Sequence, residues 1–322
     1  VKKPGFSSLV ENSALISVYA GFKKYVINLT KLMSRRALLL VNRFSRRGQE
    51  SFSEVVKQLQ QDFDLIEEST AQPRQIPHLI RQYRHQVDLV IIGGGDGTLN
   101  AAIEGLVDTQ LPLGILPLGT ANDLARTLGI PKSIPEACQI IANGQVKRID
   151  LGWVNGKHFF NVASLGLSVQ ITQRLSGDLK RRWGVLAYAI AAIQVIYRTR
   201  PFKAEICYLD RSIQVRTVQI AVGNGRYYGG GMVVDEDATI EDRKLDLYSL
   251  EIRHWWQIFP LIPAIMRGKQ GILPGVRTLE GQEIEIHTRR PYPINTDGEI
   301  TTYTPAKFLL IPEALPVIVP QA

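Results

Sequence analysis

A chain of 322 residues has room for two domains with cores of their own, and 45% hydrophobic against 21% charged residues excludes a disordered or fibrous design. The 38 Lys and Arg against 30 Asp and Glu leave a formal charge of +8, which favours an anionic partner such as a nucleotide, nucleic acid or acidic lipid surface. Cys138 and Cys207 lack metal-ligand spacing and His78, His85, His158, His254 and His287 form no ligand cluster, so neither a disulfide framework nor a zinc site is indicated and a reducing cytoplasm fits.

Residues 1–32 read as an N-terminal extension. Leu15, Ile16, Val18, Tyr19, Phe22, Tyr25, Val26 and Leu29 are interrupted by Lys23, Lys24 and Asn28, so the segment lacks a secretory apolar region and cannot span a bilayer. Packing, disorder and attachment to a membrane surface stay open for it. From Arg36 the pattern alternates as in a doubly wound α/β sheet. Strands are expected at 37–41 and 63–67, with helices at 49–61 and 76–85. The run Val87 to Ile92 reads as a strand covered on both faces, followed by Gly93-Gly94-Gly95-Asp96-Gly97-Thr98. A helix from Leu99 with Thr98 as its N-cap, a strand at 113–116 and a second loop, Gly119-Thr120-Ala121-Asn122-Asp123, come next. Asn122 and Asp123 suit the cap of the helix after that loop; Ser133 opens a further helix that Gly144 stops.

Beyond Asp150 strands dominate and predict an antiparallel sheet or sandwich, at 146–154, 158–163, 204–209, 213–222, 245–250, 282–287, 292–295 and 307–311. Helices are expected at about 181–197 and at 255–267. Neither is long and uniformly apolar enough to cross a membrane.

Glycine permits positive φ and close backbone approach, so Gly93 to Gly97 can turn N–H groups toward an anion while Asp96 offers charge to a divalent cation. The second loop has the same logic at the end of a neighbouring strand, and ligands in open α/β sheets bind in such crevices. Tight structural turns with solvated acids are the competing reading. Asn42 to Gly48, with Arg43, Arg46 and Arg47, suits nucleotide contacts or a solvated basic turn equally.

Residues 93–100 (GGGDGTLN) and 117–125 (PLGTANDLA) resemble the paired nucleotide loops of the diacylglycerol kinase-like lipid kinases. The resemblance continues through Asp150-Leu151-Gly152, residues 160–166, Val222-Gly223-Asn224-Gly225 with Gly229 to Gly231, and Thr296-Asp297-Gly298-Glu299, and so covers the chain from about Met33. It implies an α/β; doubly wound nucleotide-binding domain followed by a β-sandwich domain, divided here as 33–150 and 151–322, with a return of the final segment to the first domain left open. It implies ATP and Mg²⁺ as cofactors, with ATP contacts at Asn42, Thr70, Gly95, Asp96, Gly97, Thr98, Asn100 and Thr120. The resemblance puts the catalytic base at Glu299, gives Asp96 the metal-linked role, and maps a second-domain metal site onto Asp242 with the carbonyls of Thr239 and Lys244.

Three positions depart from the family pattern. Ala101 replaces the usual Glu, with Glu104 one helical turn deeper. Arg243 and Lys244 follow Asp242 where Gly and an apolar residue are usual, and an extra residue separates Ser45 from Gly48. Read physically, Asp297-Gly298-Glu299 is a turn between strands; with the glycine loops it becomes a carboxylate able to take a proton from an attacking hydroxyl.

The expected activity is ATP- and Mg²⁺-dependent phosphorylation of a lipid hydroxyl, diacylglycerol first, by a cytoplasmic protein working at a membrane surface, with no nucleic-acid partner. Lys180, Arg181, Arg182, Arg198, Arg200 and Arg267 would meet anionic headgroups beside Trp255, Trp256 and Phe259, unless those aromatics complete the second core. An NAD kinase-like enzyme and an inactive nucleotide-binding regulator of the same fold are the alternatives. The sequence does not choose among lipids or oligomeric states.

Overall fold

The structure is a computed structural model that describes residues 35–41, 46–69, 72–174, 194–225, 227–228, 232–233, 240–252, 254–258, 261 and 273–321. Outside these lie the extension 1–32, Asn42 to Ser45, Thr70, Gly229 to Gly231, Thr239, most of the helix expected at 181–197 with Lys180 to Arg182, and Phe259 and Arg267.

The first half follows the order β1 (Arg35–Val41), α1 (Arg46–Leu59), β2 (Phe63–Ser69), α2 (Ile76–Tyr83), β3 (Leu89–Gly94), α3 (Asp96–Thr109), β4 (Leu113–Pro117), α4 (Asp123–Thr127) and α5 (Ile134–Asn143). β1, β2, β3 and β4 pair in parallel in the spatial order β2-β1-β3-β4. All residues of β3 and β4 are buried, which is why they read as unbroken apolar runs. α3 packs by Leu99, Ala102, Ile103 and Leu106, the spacing of a single helical face. Its Gly105 permits close contact with α2, since a Cβ there would lie 2.8 Å from Pro77 Cα.

The second half comprises β5 (Gln145–Val154), β6 (Lys157–Phe159), β7 (Val162–Gly166), α6 (Leu167–Arg174), β8 (Phe202–Tyr208), β9 (Arg211–Thr217), β10 (Gln219–Gly223), β11 (Tyr227–Tyr228), β12 (Met232–Val233), β13 (Leu245–Leu250), β14 (Val276–Gly281), β15 (Glu283–Thr288), β16 (Pro293–Thr296), β17 (Glu299–Tyr303) and β18 (Ala306–Val319). One antiparallel sheet has the order β14-β13-β10-β7-β16-β17. It faces β8, β15 and the start of β18 across a core that includes Leu165, Val222, Leu247, Ile206, Ile286 and Phe308. Alternate residues of the same strands, Val162, Ala221, Tyr248 and Leu250 among them, fill a third cluster on the sheet's other face with Ile258 and Leu261.

Several expected elements change at points with identifiable causes. The single strand expected at 213–222 is two: it breaks at Val218, which donates to Leu250 O at 2.9 Å and accepts from Leu167 N at 3.0 Å as the chain leaves one sheet for the other. The strand expected at 158–163 breaks at Phe160 and Asn161, whose N–H groups are taken by Asp297. Of the helix expected at 255–267, the described part opens as a 3-10 turn, Trp255–Gln257, and is helical at Ile258 and Leu261. No helix among the described residues is long and apolar enough to cross a membrane.

β5 and β18 form a long antiparallel ribbon that belongs to both halves. At one end β18 lies beside β15; past an irregularity between Ile311 and Leu315 it reaches β4, with Val317 paired in parallel to Leu113.

Candidate functional site

The first glycine loop is shorter than the sequence predicts. β3 continues through Gly93 and Gly94, α3 begins at Asp96, and extended Gly95 holds the N-cap position that the sequence reading gave to Thr98. Thr98 is buried in the first turn of α3 instead. Space explains the exchange: a Cβ on Gly94 would lie 2.6 Å from Thr98 Cβ and Oγ1, so the bare backbone lets Thr98 fold back over the strand end.

The second loop leans directly on the first. Leu118 N and Gly119 N donate to Gly94 O at 3.0 and 3.1 Å, and a Cβ on Gly119 would come within 2.4 Å of Gly95 Cα. Asn122, expected as a helix cap, makes no capping bond. It adopts φ 56° and closes its own loop, with Oδ1 accepting from Gly119 N at 2.9 Å and Nδ2 donating to Gly119 O at 2.9 Å and Pro117 O at 3.2 Å. Asp96 Oδ1 accepts the Leu124 N–H at 3.3 Å, tying the start of α3 to the first turn of α4. Gly97 and Thr120 stand exposed near these contacts, with Asp96 half-buried.

The opposing wall comes from the hairpin between β16 and β17. Asp297 takes φ 48° and its carboxylate accepts three backbone N–H groups, from Phe160 at 2.7 Å and from Asn161 and Val162 at 3.0 Å each. Gly298 follows at φ 102° and donates to Asn295 Oδ1 at 2.7 Å. Burial pushes the Asp297 carboxyl up to about 6; the three N–H bonds oppose that rise and the charge of Asp96 adds to it. Glu299, the first residue of β17, is exposed.

Between α3 and this hairpin is a cleft of about 430 Å³ lined by Asn100, Ala101 and Glu104 of α3, Lys157 and His158 of β6, Thr296, Glu299 and Thr301 of the hairpin, and Arg74. Ala101 thus faces the same space as Glu299, and Glu104 reaches into it from one turn deeper. Glu104 Oε1 lies 3.2 Å from His158 Nδ1, and that hydrogen bond is the main cause of a lowered Glu104 pKa. No histidine cluster marks His158 in the sequence; its partner is 54 residues away, so spacing holds no signal for it.

Asp242 and Lys244 lie elsewhere, in the turn before β13. The two cations beside Asp242 are each drawn to another carboxylate, Arg243 to Glu313 and Lys244 Nζ to Glu280 Oε2 at 2.8 Å, while Lys244 N donates to Asp242 Oδ1 at 3.3 Å. Asp150 fixes the turn, its Oδ2 accepting from Arg243 N at 3.0 Å and its Oδ1 from Glu313 N at 2.7 Å. Asn42, Thr70 and Thr239 fall outside the described residues. Among the described residues no three His, Cys, Asp or Glu side chains group as a metal site. Kinase Mg²⁺ is commonly held by one or two carboxylates plus substrate phosphates, and half-buried Asp96, whose charge is felt by Asp297, fits that donor set.

Two glycine loops at parallel strand ends, opposed by an acid-bearing hairpin of an antiparallel unit, make the layout of a phosphotransferase. The Diacylglycerol kinase catalytic domain family matches residues 36–154, and the YegS C-terminal NAD kinase beta sandwich-like domain matches 161–319. The chain is 33% identical over 238 residues to "Probable lipid kinase YegS-like" of Chromohalobacter salexigens, covering 72% of this chain and 76% of that one. It is 29% identical over 239 residues to the "Diacylglycerol kinase" of Bacillus subtilis, covering 73% and 79%. Two solved structures from Bacillus anthracis str. Sterne, assigned by name to the diacylglycerol kinases, superpose with TM-scores of 0.78 and 0.71 at 27% and 26% identity; the first covers 88% of this chain and 95% of its own. The chain belongs to the diacylglycerol kinase-like, YegS-like lipid kinase family.

Proposed function

We propose that this protein transfers the γ-phosphoryl group of ATP to a lipid hydroxyl, with diacylglycerol as the first acceptor, at the inner face of a membrane. The observation that carries the reading is that Glu299 shares one cleft with Asn100 on the helix that springs from Gly95, Asp96 and Gly97. In this reading the ATP contacts are Asn42, Thr70, Gly95, Asp96, Gly97, Thr98, Asn100 and Thr120. Residues 33–150 act as the nucleotide domain and 151–322 as the lipid-facing one.

Glu299 accepts the proton of the attacking hydroxyl, and the backbone N–H groups of the two loops bind the phosphates. Asp96 would hold Mg²⁺, which when bound neutralises charge on the phosphoryl oxygens. A second metal at Asp242, with the carbonyls of Thr239 and Lys244, would brace the sandwich. Arg74 and Lys157 at the cleft favour an anionic surface beside the acceptor.

The test is a phosphoryl-transfer assay with radiolabelled ATP and Mg²⁺ offered diacylglycerol or phosphatidylglycerol in mixed micelles, and NAD in parallel. Label on a lipid supports the reading, and Glu299→Gln then loses turnover by about 100-fold or more while ATP still binds. Label on NAD alone sinks it in favour of a dinucleotide kinase. Nucleotide binding with no transfer to any acceptor in a lipid extract would mark an inactive regulator.

A further inference from the structure

Asp297 has no role in the chemistry above, yet four hydrogen bonds tie it to backbone next to the cleft. Its carboxylate collects the N–H groups of Phe160, Asn161 and Val162, and its own N–H donates to Val162 O at 3.0 Å. Four hydrogen bonds therefore join the hairpin turn to the β6–β7 link. The same link is held from below: Asn224 Nδ2 donates to Phe160 O at 2.8 Å and to Asp150 O at 3.0 Å, and Asn224 N donates to Asn161 O at 2.8 Å. β6, at the other end of the link, carries His158 into the cleft.

We propose that Asp297 is the positioning residue of Glu299, fixing where the exposed carboxylate stands by clamping the turn before it to the buried β6–β7 link. The residues between them leave little slack. Asp297 is committed to a left-handed conformation, Gly298 to φ 102° with its N–H on Asn295 Oδ1, and β17 starts at Glu299 with Thr296 as its partner on β16. An exposed acid on an edge strand has no packing of its own to hold it. Its backbone is held by the β16 ladder on one side and by the clamped turn on the other, so the turn sets where β17 begins, and errors of about 1 Å in such a group cost about 100-fold in rate.

The proposal rests on Glu299 being the base, and its test separates the two. Asp297→Asn sets an amide NH₂ against a backbone N–H, so it loses at least the bond that Oδ2 accepts from Phe160 and brings two donors face to face, weakening the clamp while keeping the size. Gly298→Ala perturbs the turn by conformation alone, since a Cβ there meets nothing within 4 Å but φ 102° disfavours it.

In the micelle assay with radiolabelled ATP and lipid extract as acceptor, both variants are expected to lower kcat, Asp297→Asn by about 100-fold and Gly298→Ala by about 10-fold, with KM for ATP within about twofold of the parent. Added to Glu299→Gln, neither should lower the residual rate further, because a positioning residue acts through the group it positions. Asp297→Glu, too long for the same three N–H groups, should not restore turnover. An unchanged kcat in folded Asp297→Asn, or an equal loss in the Glu299→Gln background, overturns the proposal. Should Asp297→Asn fail to fold, an unchanged kcat in Gly298→Ala overturns it. If Glu299→Gln alone keeps full turnover, the assignment of the base falls instead.

Discussion

His158 Nδ1 and Glu104 Oε1, 3.2 Å apart, join strand β6 to helix α3 beside the cleft and give each half of the molecule a hold on the other. The hydrogen bond to His158 holds Glu104 below its ordinary 4.5, outweighing the opposing effect of burial. A carboxyl with a depressed folded pKa adds stability that is present above its unfolded pKa and lost as pH falls through the folded value. With the Glu104 side chain 40% exposed, solvent screening limits the pair to about 0.5 kcal/mol. His158→Leu should therefore lower the urea midpoint slightly at neutral pH, and the difference from the parent should shrink as pH falls below the ordinary 4.5 of a Glu carboxyl. A constant offset at every pH would mean that lost packing, not the pair, is responsible.

Gly119→Ala should be severe. Its Cβ would enter to 2.4 Å of Gly95 Cα, a backbone atom that cannot swing aside, so the two loops must separate. Expected are a stability loss of about 2 kcal/mol and a weakening of ATP binding by at least about 10-fold, read from urea denaturation and nucleotide titration. Gly97→Ala is the control, since its Cβ meets nothing within 4 Å and should leave stability close to the parent's.

Asp297 predicts the opposite pH trend from Glu104. Its folded pKa is raised by burial from 3.8 to about 6, so its stabilising contribution is fully present below the unfolded value and is lost as pH rises through about 6. The stability of the parent relative to Asp297→Asn should fall between about pH 4 and 6, by at most about 3 kcal/mol, and be flat above. Thermal unfolding of both proteins across that range checks it. A difference that grows with pH would show that the three N–H bonds outweigh burial.

Cys138 is buried, and burial raises its thiol to about 11, whereas Cys207 is partly exposed. A thiol reagent at pH 8 should modify Cys207 in the native protein and reach Cys138 only on unfolding, as mass spectrometry of the labelled peptides would record. Equal rates at both would contradict the packing of α5 against the parallel sheet.

The alternating first half was legible in the sequence because strands buried on both faces, such as β3 and β4, must be apolar throughout. Edge strands offer no such signature. Among the described residues β17 pairs only with β16 and β14 only with β13, and with one face poorly covered Glu299-Ile300-Thr301-Thr302-Tyr303 has little apolar pattern to read. The glycine loops were visible as loops, but their boundary shifted because the contact of Gly94 with Thr98 and of Gly95 with Gly119 is tertiary. Glu299 was reached through the family motif, whereas His158 and its tie to Glu104 had no local signal at all. The histidine's spacing on its own strand says nothing about an acid on a distant helix.

The β5–β18 ribbon has a consequence for how the chain is made. Among the described residues the edge of β4 finds its neighbour only when Val317 arrives, far along the chain from Leu113 and after the whole antiparallel unit. The half that carries both glycine loops is thus completed only by a strand that follows the whole second half, and until that strand is made it keeps an unpaired strand edge beside its ligand loops. A fragment stopped at residue 154 would keep that edge open permanently, so the nucleotide half should need the last strand, supplied in the same chain or as a separate peptide, to become a finished sheet.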